Sequence, residues 1–525
     1  MTPVSDKGKL DRTAPRRLKG FRDIGPAEVR ARDRMIARIR EVYERYGYAP
    51  LETPALEYAD VLGKYLPEVD QPEGGVFAFR DDEDEWVALR YDLTAPLSRY
   101  VAMNPDLPRP FRRYQVGPVW RLEKPGPGRF REFYQFDFDS VGTGSMLADA
   151  ECCMVMCDTL EALGIKPGDY VIRVNNRKVL NGVLETMAGG HPPPLGEGEA
   201  TVPLSRSTSG RLGSGSTGAA DVAHHVLRSI DKLDRVGLEG VRQLLGPGRR
   251  DESGDFLKGV GLPESQIAVV IGYLGIKAER RGMVCAALEK LVGESAVGRE
   301  GVAELREIDE ALRGAGYDDN RVIFDPTVVR GLAYYTGPVF EGVLTFEIVD
   351  ESGAKRQFGS VFGGGRYDDL VERFTGQKMP ATGASIGVDR LLAALAALGK
   401  IDPEAASTAV LVTRLDKNLT RDYQQLVLEL RSAGINTELY VGSQGIGKQF
   451  KYASDTGRIV AVIMGSDELA AAQVSIKDLR LGGELAKEVG ADRKRWLEQQ
   501  PAQLTVARQE MIDTVKKILG RYQIG

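Results

Sequence analysis

The sequence predicts an α+β fold, with a core built on an antiparallel sheet, a helical insertion within that core, and a compact α/β domain after it. Three observations predict it. From Arg112 to Gly142, two long segments alternate in polarity on either side of a Pro/Gly turn, the pattern of an antiparallel hairpin. From Val222 to Ala303 the chain is rich in Leu, Lys, Arg and Glu at helical spacing and poor in strand formers, with sheet-like segments on both sides. From about Thr408, short apolar strands alternate with helices, as in a small domain of parallel or mixed sheet.

The hairpin organises the rest. In its first strand Arg112, Tyr114, Val116, Pro118 and Trp120 share one face, and Arg113, Gln115, Arg121 and Glu123 share the other. In its second, Tyr134, Phe136 and Phe138 oppose Arg131, Gln135, Asp137 and Asp139. The turn from Lys124 to Phe130 holds Pro125, Gly126, Pro127 and Gly128, with Arg129 and Arg131 close behind. One face is therefore apolar and the other charged. For an isolated hairpin, a solvated face with cross-strand ion pairs explains the charges; the motifs further along give them another use.

At 525 residues the chain is too long for one core, and about three domains are expected. Its 70 Lys and Arg against 75 Asp and Glu leave a net charge of −5, so no global basic field marks it as a nucleic-acid binder, although local basic surfaces stay open. No apolar run approaches a membrane span, and the first residues lack the apolar stretch of a secretory signal. Residues 1–18 read as a flexible basic arm, with a weak RNA contact as the alternative. Cys152, Cys153, Cys157 and Cys285 lack paired metal spacing and read as buried thiols of a reducing cytoplasm. Only His191, His224 and His225 are present, in or beside a loop-like region. Histidine-based metal, triad or acid–base chemistry is thus not expected, and the chemistry falls to Arg, Asp, Glu and Tyr.

In chain order, a helix is expected over Ala27–Tyr46, with Val29, Ile36, Ile39, Val42 and Tyr43 at helical spacing. Val76–Phe79 and Trp86–Leu89 bracket the acidic turn Arg80–Glu85 as a hairpin. Arg90–Thr94, RYDLT, ends a strand and opens a helix, where Asp92 and Thr94 would serve as caps. A helix over Met146–Leu163, a strand over Tyr170–Asn175 and a helix to Met187 follow, then a Gly/Ser/Pro-rich loop from Ala188 to Ala220. Sheet returns at Val322–Phe324. Asp325–Glu341, DPTVVRGLAYYTGPVFE, carries Arg330 and the pair Tyr334 and Tyr335. In GGGRYDDL, Gly363–Leu370, three glycines allow close backbone approach or a bulge. Thr382–Leu395 passes from strand to helix, with Asp389 and Arg390 in the first helical turn. An acidic residue suits that position and an arginine is opposed by the dipole, so Arg390 either meets an anion or is simply solvated. Beyond Arg493 a helical tail is expected, with Leu504, Val506, Met511, Val515 and Leu519 as its apolar spacing.

Several segments resemble the class II aminoacyl-tRNA synthetases, and among them the histidyl-tRNA synthetase family. GFRDIGP is similar to that family's N-terminal signature, RYDLTAPLSRYVA to its histidine- and ATP-site strand end, VWRLEKPGPGRFREFYQFDFD to class motif two and GASIGVDRLLAAL to class motif three. RGLAYYTGPVFE and GGGRYDDL resemble its two histidine-specific motifs, and SIDKLDRVGLEGV its insertion. GIGKQFKYASDTGRIVAVIMGSDELAAAQVSIKDL is similar to its anticodon-binding domain. The resemblance implies a catalytic core in two parts, 19–182 and 321–402, around an insertion at 183–320. An anticodon-binding domain at 405–490 and a helical extension at 491–525 follow.

It also implies that L-histidine and ATP, with Mg2+, meet on the antiparallel sheet, and that the product is a histidylated tRNA. No protein side chain is assigned to a metal. Arg121 matches the motif-two arginine on the α-phosphate and carboxylate, and Arg330 the histidine-specific arginine; these two carry the catalysis. Glu123 matches the acidic residue near the adenine, Arg129 a loop arginine on the phosphates, and Arg390 the motif-three arginine on the γ-phosphate. Asp92, Leu93 and Thr94 match the segment around the substrate ammonium, with Gln135 near it. Asp139, Tyr334 and Tyr335 match positions around the imidazole. Ala333 departs from the family pattern, which usually has an acidic residue there. A homodimer in the cytoplasm is implied. The alternative is a catalytically inert, synthetase-like regulatory subunit of histidine biosynthesis, which should lose the phosphate arginines or the anticodon-like domain.

Overall fold

The computed structural model describes residues 13–63, 65–66, 71–72, 75–124, 130–187, 219–251, 254–329, 334–349, 355–400, 409–488 and 502–522. The chain divides into two compact units, Met1–Asp23 with Arg32–Ile401, and Ile24–Ala31 with Asp402–Gly525. The expected flexible arm falls mostly, and the Gly/Ser-rich loop almost wholly, outside the described residues.

Helix α1 (Pro26–Arg45) leads into β1 (Ala49–Pro50) and β2 (Leu56–Tyr58). The short pair β3 (Tyr65–Leu66) and β4 (Gln71–Pro72) comes next, then the hairpin β5 (Ala78–Arg80) and β6 (Trp86–Leu89) around the acidic turn. Helix α2 (Thr94–Met103) precedes the long hairpin β7 (Phe111–Trp120) and β8 (Glu132–Val141). Then come α3 (Met146–Ala162), β9 (Tyr170–Asn176) and α4 (Arg177–Met187). The insertion holds α5 (Ala219–Ile230), α6 (Leu233–Leu245), β10 (Gly248–Arg250), β11 (Phe256–Lys258), α7 (Glu264–Leu274), α8 (Arg281–Val292) and α9 (Ala296–Gly314). It is helical, as its composition predicts, but β10 and β11 form an antiparallel hairpin that the leucine-rich pattern hides. The core resumes with β12 (Val322–Phe324), β13 (Pro338–Val349), β14 (Lys355–Arg366), the single turn α10 (Glu372–Thr375), β15 (Ala381–Gly387) and α11 (Val388–Ala397).

Eight strands form the main sheet in the order β1-β7-β8-β15-β14-β13-β9-β12. Its six central strands run antiparallel, while β1 pairs with β7, and β12 with β9, in parallel. Alternation along β7 and β8 falls as the sequence predicts: Tyr114 opposes Phe138, and Val116 opposes Phe136. On this face the Tyr43 ring of α1 packs edge-on against Phe136 with centroids 4.8 Å apart, tilts over Phe138 at 4.9 Å, and borders Tyr114 and Tyr48. This aromatic cluster buries the apolar face and leaves the charged face to the opposite side of the sheet.

The second unit carries a five-stranded sheet, built from β16 (Val410–Val412), α12 (Thr420–Ser432), β17 (Thr437–Leu439), α13 (Ile446–Asp455), β18 (Val460–Ile463), α14 (Ser466–Ala470), β19 (Gln473–Asp478), α15 (Leu479–Glu488), β20 (Gln503–Ala507) and α16 (Met511–Arg521). Its order is β17-β16-β18-β19-β20, parallel at the first three strands and antiparallel beyond. The expected helical extension needs correction. Gln503–Ala507 is a strand paired with β19, and Met511, Val515, Ile518 and Leu519 of α16 belong to the core of this unit. Leu504 and Val506 stand two residues apart, which is strand spacing, whereas Met511, Val515 and Leu519 stand four apart. No helix among the described residues is long and apolar enough to cross a membrane.

The aromatic cluster sets one stability test. The Tyr43 side chain is fully buried and its hydroxyl has no hydrogen-bond partner among the described residues. Tyr43→Ala should destabilise the protein by about 3–5 kcal/mol through lost burial and a cavity. Tyr43→Phe should match or exceed the wild type, because the deleted hydroxyl made no bond. Thermal and urea denaturation of the three proteins measure the difference.

Candidate active site

The sheet face opposite the aromatic cluster holds Arg113 and Gln115 of β7, Asp139, Asp137 and Gln135 of β8, and Ser385 of β15. The register sets Arg113 opposite Asp139, Gln115 opposite Asp137, and Asp137 in turn opposite Ser385. On β14, Gly365 and Gly363 continue the same rows. Glycine here is a steric requirement. A Cβ at Gly365 would stand 2.8 Å from the Tyr335 ring, and one at Gly383 of β15 would collide with the Asp139 carboxylate. The missing side chains let Tyr335 and Asp139 lie across neighbouring strands, which is the close approach expected of the glycine run.

The RYDLT segment is stitched to β7 by three of its carbonyls. Trp120 N donates to Arg90 O at 3.0 Å, Arg121 Nε to Tyr91 O at 3.1 Å, and Arg113 Nη2 to Leu93 O at 3.0 Å. Arg90 holds the other side, donating to Pro118 O at 3.0 Å and Thr53 O at 2.6 Å. Of the two caps that the sequence suggests, Thr94 is the first residue of α2, and Asp92 lies just before the N-cap position, Leu93, with its Oδ1 accepting from Thr94 N at 3.1 Å and Ala95 N at 2.9 Å. These bonds fix the carboxylate at the rim of the charged face, so its structural and substrate roles are compatible. Leu93, fully buried, anchors the turn.

Arg113 differs from the solvated arginine that the hairpin alone suggests. It is 0% exposed, and its Nη2 lies 2.8 Å from Asp139 Oδ2. That approach is an ion pair rather than an aligned hydrogen bond, so Asp139 Oδ2, Arg113 Nε and Arg113 Nη1 have no hydrogen-bond partner among the described residues. Tyr367, just past β14, donates to the other oxygen of Asp139. Asp137 Oδ1, Gln135 Oε1, Ser385 Oγ and the Tyr334 hydroxyl are likewise buried without a well-aligned hydrogen bond among those residues, although Ser385 approaches the Asp137 carboxyl and Thr94 approaches the Tyr334 hydroxyl. Buried polar atoms are normally satisfied, and so many together on one face mark a place where a polar ligand completes the set.

The electrostatics agree. Burial pushes the Asp137 carboxyl up to about 7, with Arg113 opposing and the Asp139 charge adding to the rise. Burial also raises Asp139, against the pull of Arg113 and the Tyr367 hydroxyl. Tyr334 stacks edge-on against Tyr335 with centroids 5.2 Å apart and tilts over Tyr367 at 5.5 Å, closing the end of the face nearest Asp139.

At the other end, Gln135 pairs with Gly387, the last residue of β15, so the start of α11 adjoins it. Arg121 is half-buried just beyond β7, its guanidinium 5.2 Å from the Phe133 ring. Glu123 is exposed, and its carbonyl accepts from Arg131 Nε at 3.0 Å. Arg390 is exposed in the first turn of α11 and donates to Phe358 O at 3.3 Å. Its neighbour Asp389 accepts from Tyr134 N at 2.8 Å and from Arg22 Nη2 at 3.0 Å. Arg22, from the GFRDIGP segment, also sits 4.7 Å over the Phe130 ring, and Arg131 N donates to Gly20 O. This segment thereby straps the end of the hairpin to the start of α11.

Asp92, Leu93, Thr94, Arg121, Gln135, Asp139, Tyr334, Tyr335 and Arg390 therefore border one strip of sheet, and Glu123 lies at its outer edge. Arg129, Arg330 and Ala333 lie outside the described residues. The approach to Arg330 is anchored, however: Arg173 Nε donates to Asp325 Oδ2 at 2.8 Å, and Asn175 Nδ2 to Val328 O at 2.9 Å. The motifs by themselves assign no substrate role to Arg113, Asp137, Tyr367 or Arg22. The shared phase of Arg113, Asp137 and Asp139 along the strands was the available signal, but phase does not report burial. Among the described residues no cluster of three His, Cys, Asp or Glu side chains is arranged to hold a metal ion.

Comparisons with known proteins place this geometry. The family model described as histidyl-tRNA synthetase matches residues 20–191 and 255–391, more than half of the chain, and the anticodon binding domain model matches residues 409–518. The chain is 52% identical over 504 residues to the histidine–tRNA ligase of Cereibacter sphaeroides, covering 96% of this chain and 97% of that protein. It is 52% identical over 521 residues to that of Roseobacter denitrificans, covering 98% of each. The crystal structure of histidyl-tRNA synthetase from Nostoc sp. PCC 7120 superposes with a TM-score of 0.68 at 29% identity, covering 97% of this chain and 100% of that one. A structure described as an ATP phosphoribosyltransferase regulatory subunit/histidyl-tRNA synthetase, from Bacillus halodurans C, shares the fold with a TM-score of 0.63 at 20% identity, covering 87% of this chain and 100% of that one. With both family models matched in order and half of all residues shared with full-length relatives, the chain belongs to the histidyl-tRNA synthetase family.

Proposed function

We propose that the protein ligates L-histidine to its cognate tRNA, using ATP and passing through histidyl-adenylate. The observation that carries this reading is the strip of buried, incompletely hydrogen-bonded polar atoms on the sheet, bordered by the Asp92–Thr94 turn, Tyr334, Arg121 and Arg390. Asp139, Tyr334 and Tyr335 are assigned to the imidazole, Asp92, Leu93, Thr94 and Gln135 to the ammonium side. Arg121 and Arg330 take the α-phosphate, Arg129 and Arg390 the outer phosphates, and Glu123 the adenine.

The histidine carboxylate attacks the α-phosphorus in line. The new O–P bond forms as the bond to the bridging oxygen breaks, and pyrophosphate leaves. The nucleophile is already ionised, so this step needs alignment and positive charge rather than a general base, and a chain with three histidines loses nothing by it. In the second step the 3′-hydroxyl of the terminal adenosine attacks the carbonyl carbon, its proton passes to the departing phosphate or to solvent, and AMP leaves with the shared oxygen. Mg2+ enters with ATP as part of the substrate. The second unit would hold the anticodon end of the tRNA. We take the assembly to be a cytoplasmic homodimer. An inert regulatory role fits poorly, because Arg121, Arg330, Arg390 and the second unit are all present.

Histidine-dependent ATP–pyrophosphate exchange, followed by charging of tRNA with labelled histidine, tests the function; a folded protein with no exchange would refute it. Arg121→Ala should lower exchange by about two orders of magnitude through lost transition-state stabilisation, whereas Arg390→Ala should act mainly on the KM for ATP.

The buried carboxylates also make stability depend on pH. The folded pKa of Asp137, about 7, lies above its unfolded value near 4. The native state therefore holds more protons between those values. The contribution is complete below about pH 4 and is lost as pH rises through about 7. Asp137→Asn removes this titration, so its melting temperature relative to wild type should climb between pH 5 and pH 8.5, as scanning calorimetry across that range would register.

A further inference from the structure

Among the described residues, Arg113 is a buried charge that the assigned substrate contacts do not explain. Its side chain is entirely buried, two of its three guanidinium nitrogens have no hydrogen-bond partner among the described residues, and no assigned substrate contact uses it. Stability does not account for it. A buried ion pair recovers little more than its desolvation cost, and an apolar pair of similar volume is commonly as stable or more so. What an apolar pair cannot do is govern the charge of a neighbouring carboxylate.

The arrangement around it is specific. The β7–β8 register sets Arg113 directly opposite Asp139, with Nη2 at 2.8 Å from Oδ2. The same Nη2 donates to Leu93 O, in the turn that carries Asp92 and Thr94. One nitrogen thus joins the ammonium end of the amino-acid site to its imidazole end. Tyr367 occupies the other oxygen of Asp139, so Oδ2 is the one left to accept a ligand N–H. An imidazole N–H is held about twice as strongly by an ionised acceptor as by a neutral one.

Resting on the assignment of Asp139 to the imidazole, we infer that Arg113 is a positioning and specificity residue, which aims the Asp139 carboxyl group at the histidine ring and ties it to the Asp92–Thr94 turn. Asp139 is faced by Arg113 of β7, Asp137 of its own strand, Asp92 ahead of α2, Tyr367 beyond β14, Cys152 of α3 and Tyr43 of α1. Arg113 is the one cation among these six groups, so its loss leaves burial and two carboxylates to drive Asp139 toward its protonated form. Protonated, the carboxyl loses its strength as an acceptor for the ring N–H.

The test compares wild type, Arg113→Met, Asp139→Asn and the double variant in ATP–pyrophosphate exchange, with KM for histidine and for ATP measured separately between pH 6.5 and pH 9. In Arg113→Met the histidine KM should rise at least about tenfold, the cost of a hydrogen bond to a charged group. The ATP KM should stay within about twofold, since the phosphate arginines are untouched. The deficit relative to wild type should shrink as pH rises and Asp139 ionises. In the Asp139→Asn background, adding Arg113→Met should change the histidine KM by less than about twofold, because the residue acts through Asp139.

The double variant removes both charges, so it keeps the comparison available should Arg113→Met alone fail to fold. An unchanged histidine KM in folded Arg113→Met overturns the inference. So does a loss spread equally over both substrates, or a further tenfold loss in the Asp139→Asn background. If Asp139→Asn itself leaves the histidine KM unchanged, the imidazole assignment has failed, and that outcome is separable from failure of the Arg113 role.

Discussion

The fully buried guanidinium of Arg113 sits between Asp139 and the Leu93 carbonyl, and the geometry of the charged face follows from that placement. A cation without access to water is costly unless acceptors meet it, and the fold supplies two, both at Nη2, from separate elements, β8 and the turn ahead of α2. The pairing therefore fixes more than a side chain. It sets the height of the RYDLT turn over the sheet, together with the bonds from Trp120 N to Arg90 O and from Arg121 Nε to Tyr91 O. Two donors of β7 and a third just beyond it, on the carbonyls of Arg90, Tyr91 and Leu93, leave that turn little freedom, and Asp92, whose carboxylate accepts from the start of α2, is held with it.

The two faces of the β7–β8 hairpin divide the labour. One is closed by the Tyr43 cluster, where ring-to-ring packing gives rigidity without polar demands. The other is left under-satisfied, with atoms on Asp137, Asp139, Gln135, Ser385 and Tyr334 that lack a well-aligned hydrogen bond among the described residues. Such a face is costly in the absence of a ligand and rigid in its presence, which suits a site that must present fixed charges to a reaction short of general bases. Glycines at 365 and 383 matter as much as the charged residues, because side chains there would occupy the space taken by Tyr335 and Asp139.

Much of the fold was legible. Strict alternation in 112–123 and 131–139 located both faces of the hairpin, and helical spacing located α1, α3 and α4, because those periods are local properties of the backbone. The insertion was legible as helical, although the β10–β11 hairpin within it was not, since three-residue strands carry too short a pattern. The last segment misled for a related reason. Leu504 and Val506 were grouped with Met511, Val515 and Leu519 as one helix, yet the two-residue step of the first pair belongs to a strand that pairs with β19. Arg113 was the instructive case at the site. Its facing direction was correct, but whether a charged face is bathed in water or covered by a turn and a tyrosine depends on residues 20 to 254 positions away, Leu93 and Tyr367 among them.

By itself the sequence determined the periodicities, the scarcity of histidine and cysteine chemistry, and the ordered motifs through which the family could be recognised. It therefore determined which residue types could act. Only the tertiary structure decided the cross-strand register that sets Arg113 against Asp139 and Asp137 against Ser385, the strap from Arg22 to Asp389, and the burial that lifts the Asp137 carboxyl to about 7. The physical reason is range. Dihedral preference and side-chain alternation are encoded within a few residues, whereas desolvation and charge pairing are properties of atoms brought together by strands distant in the chain.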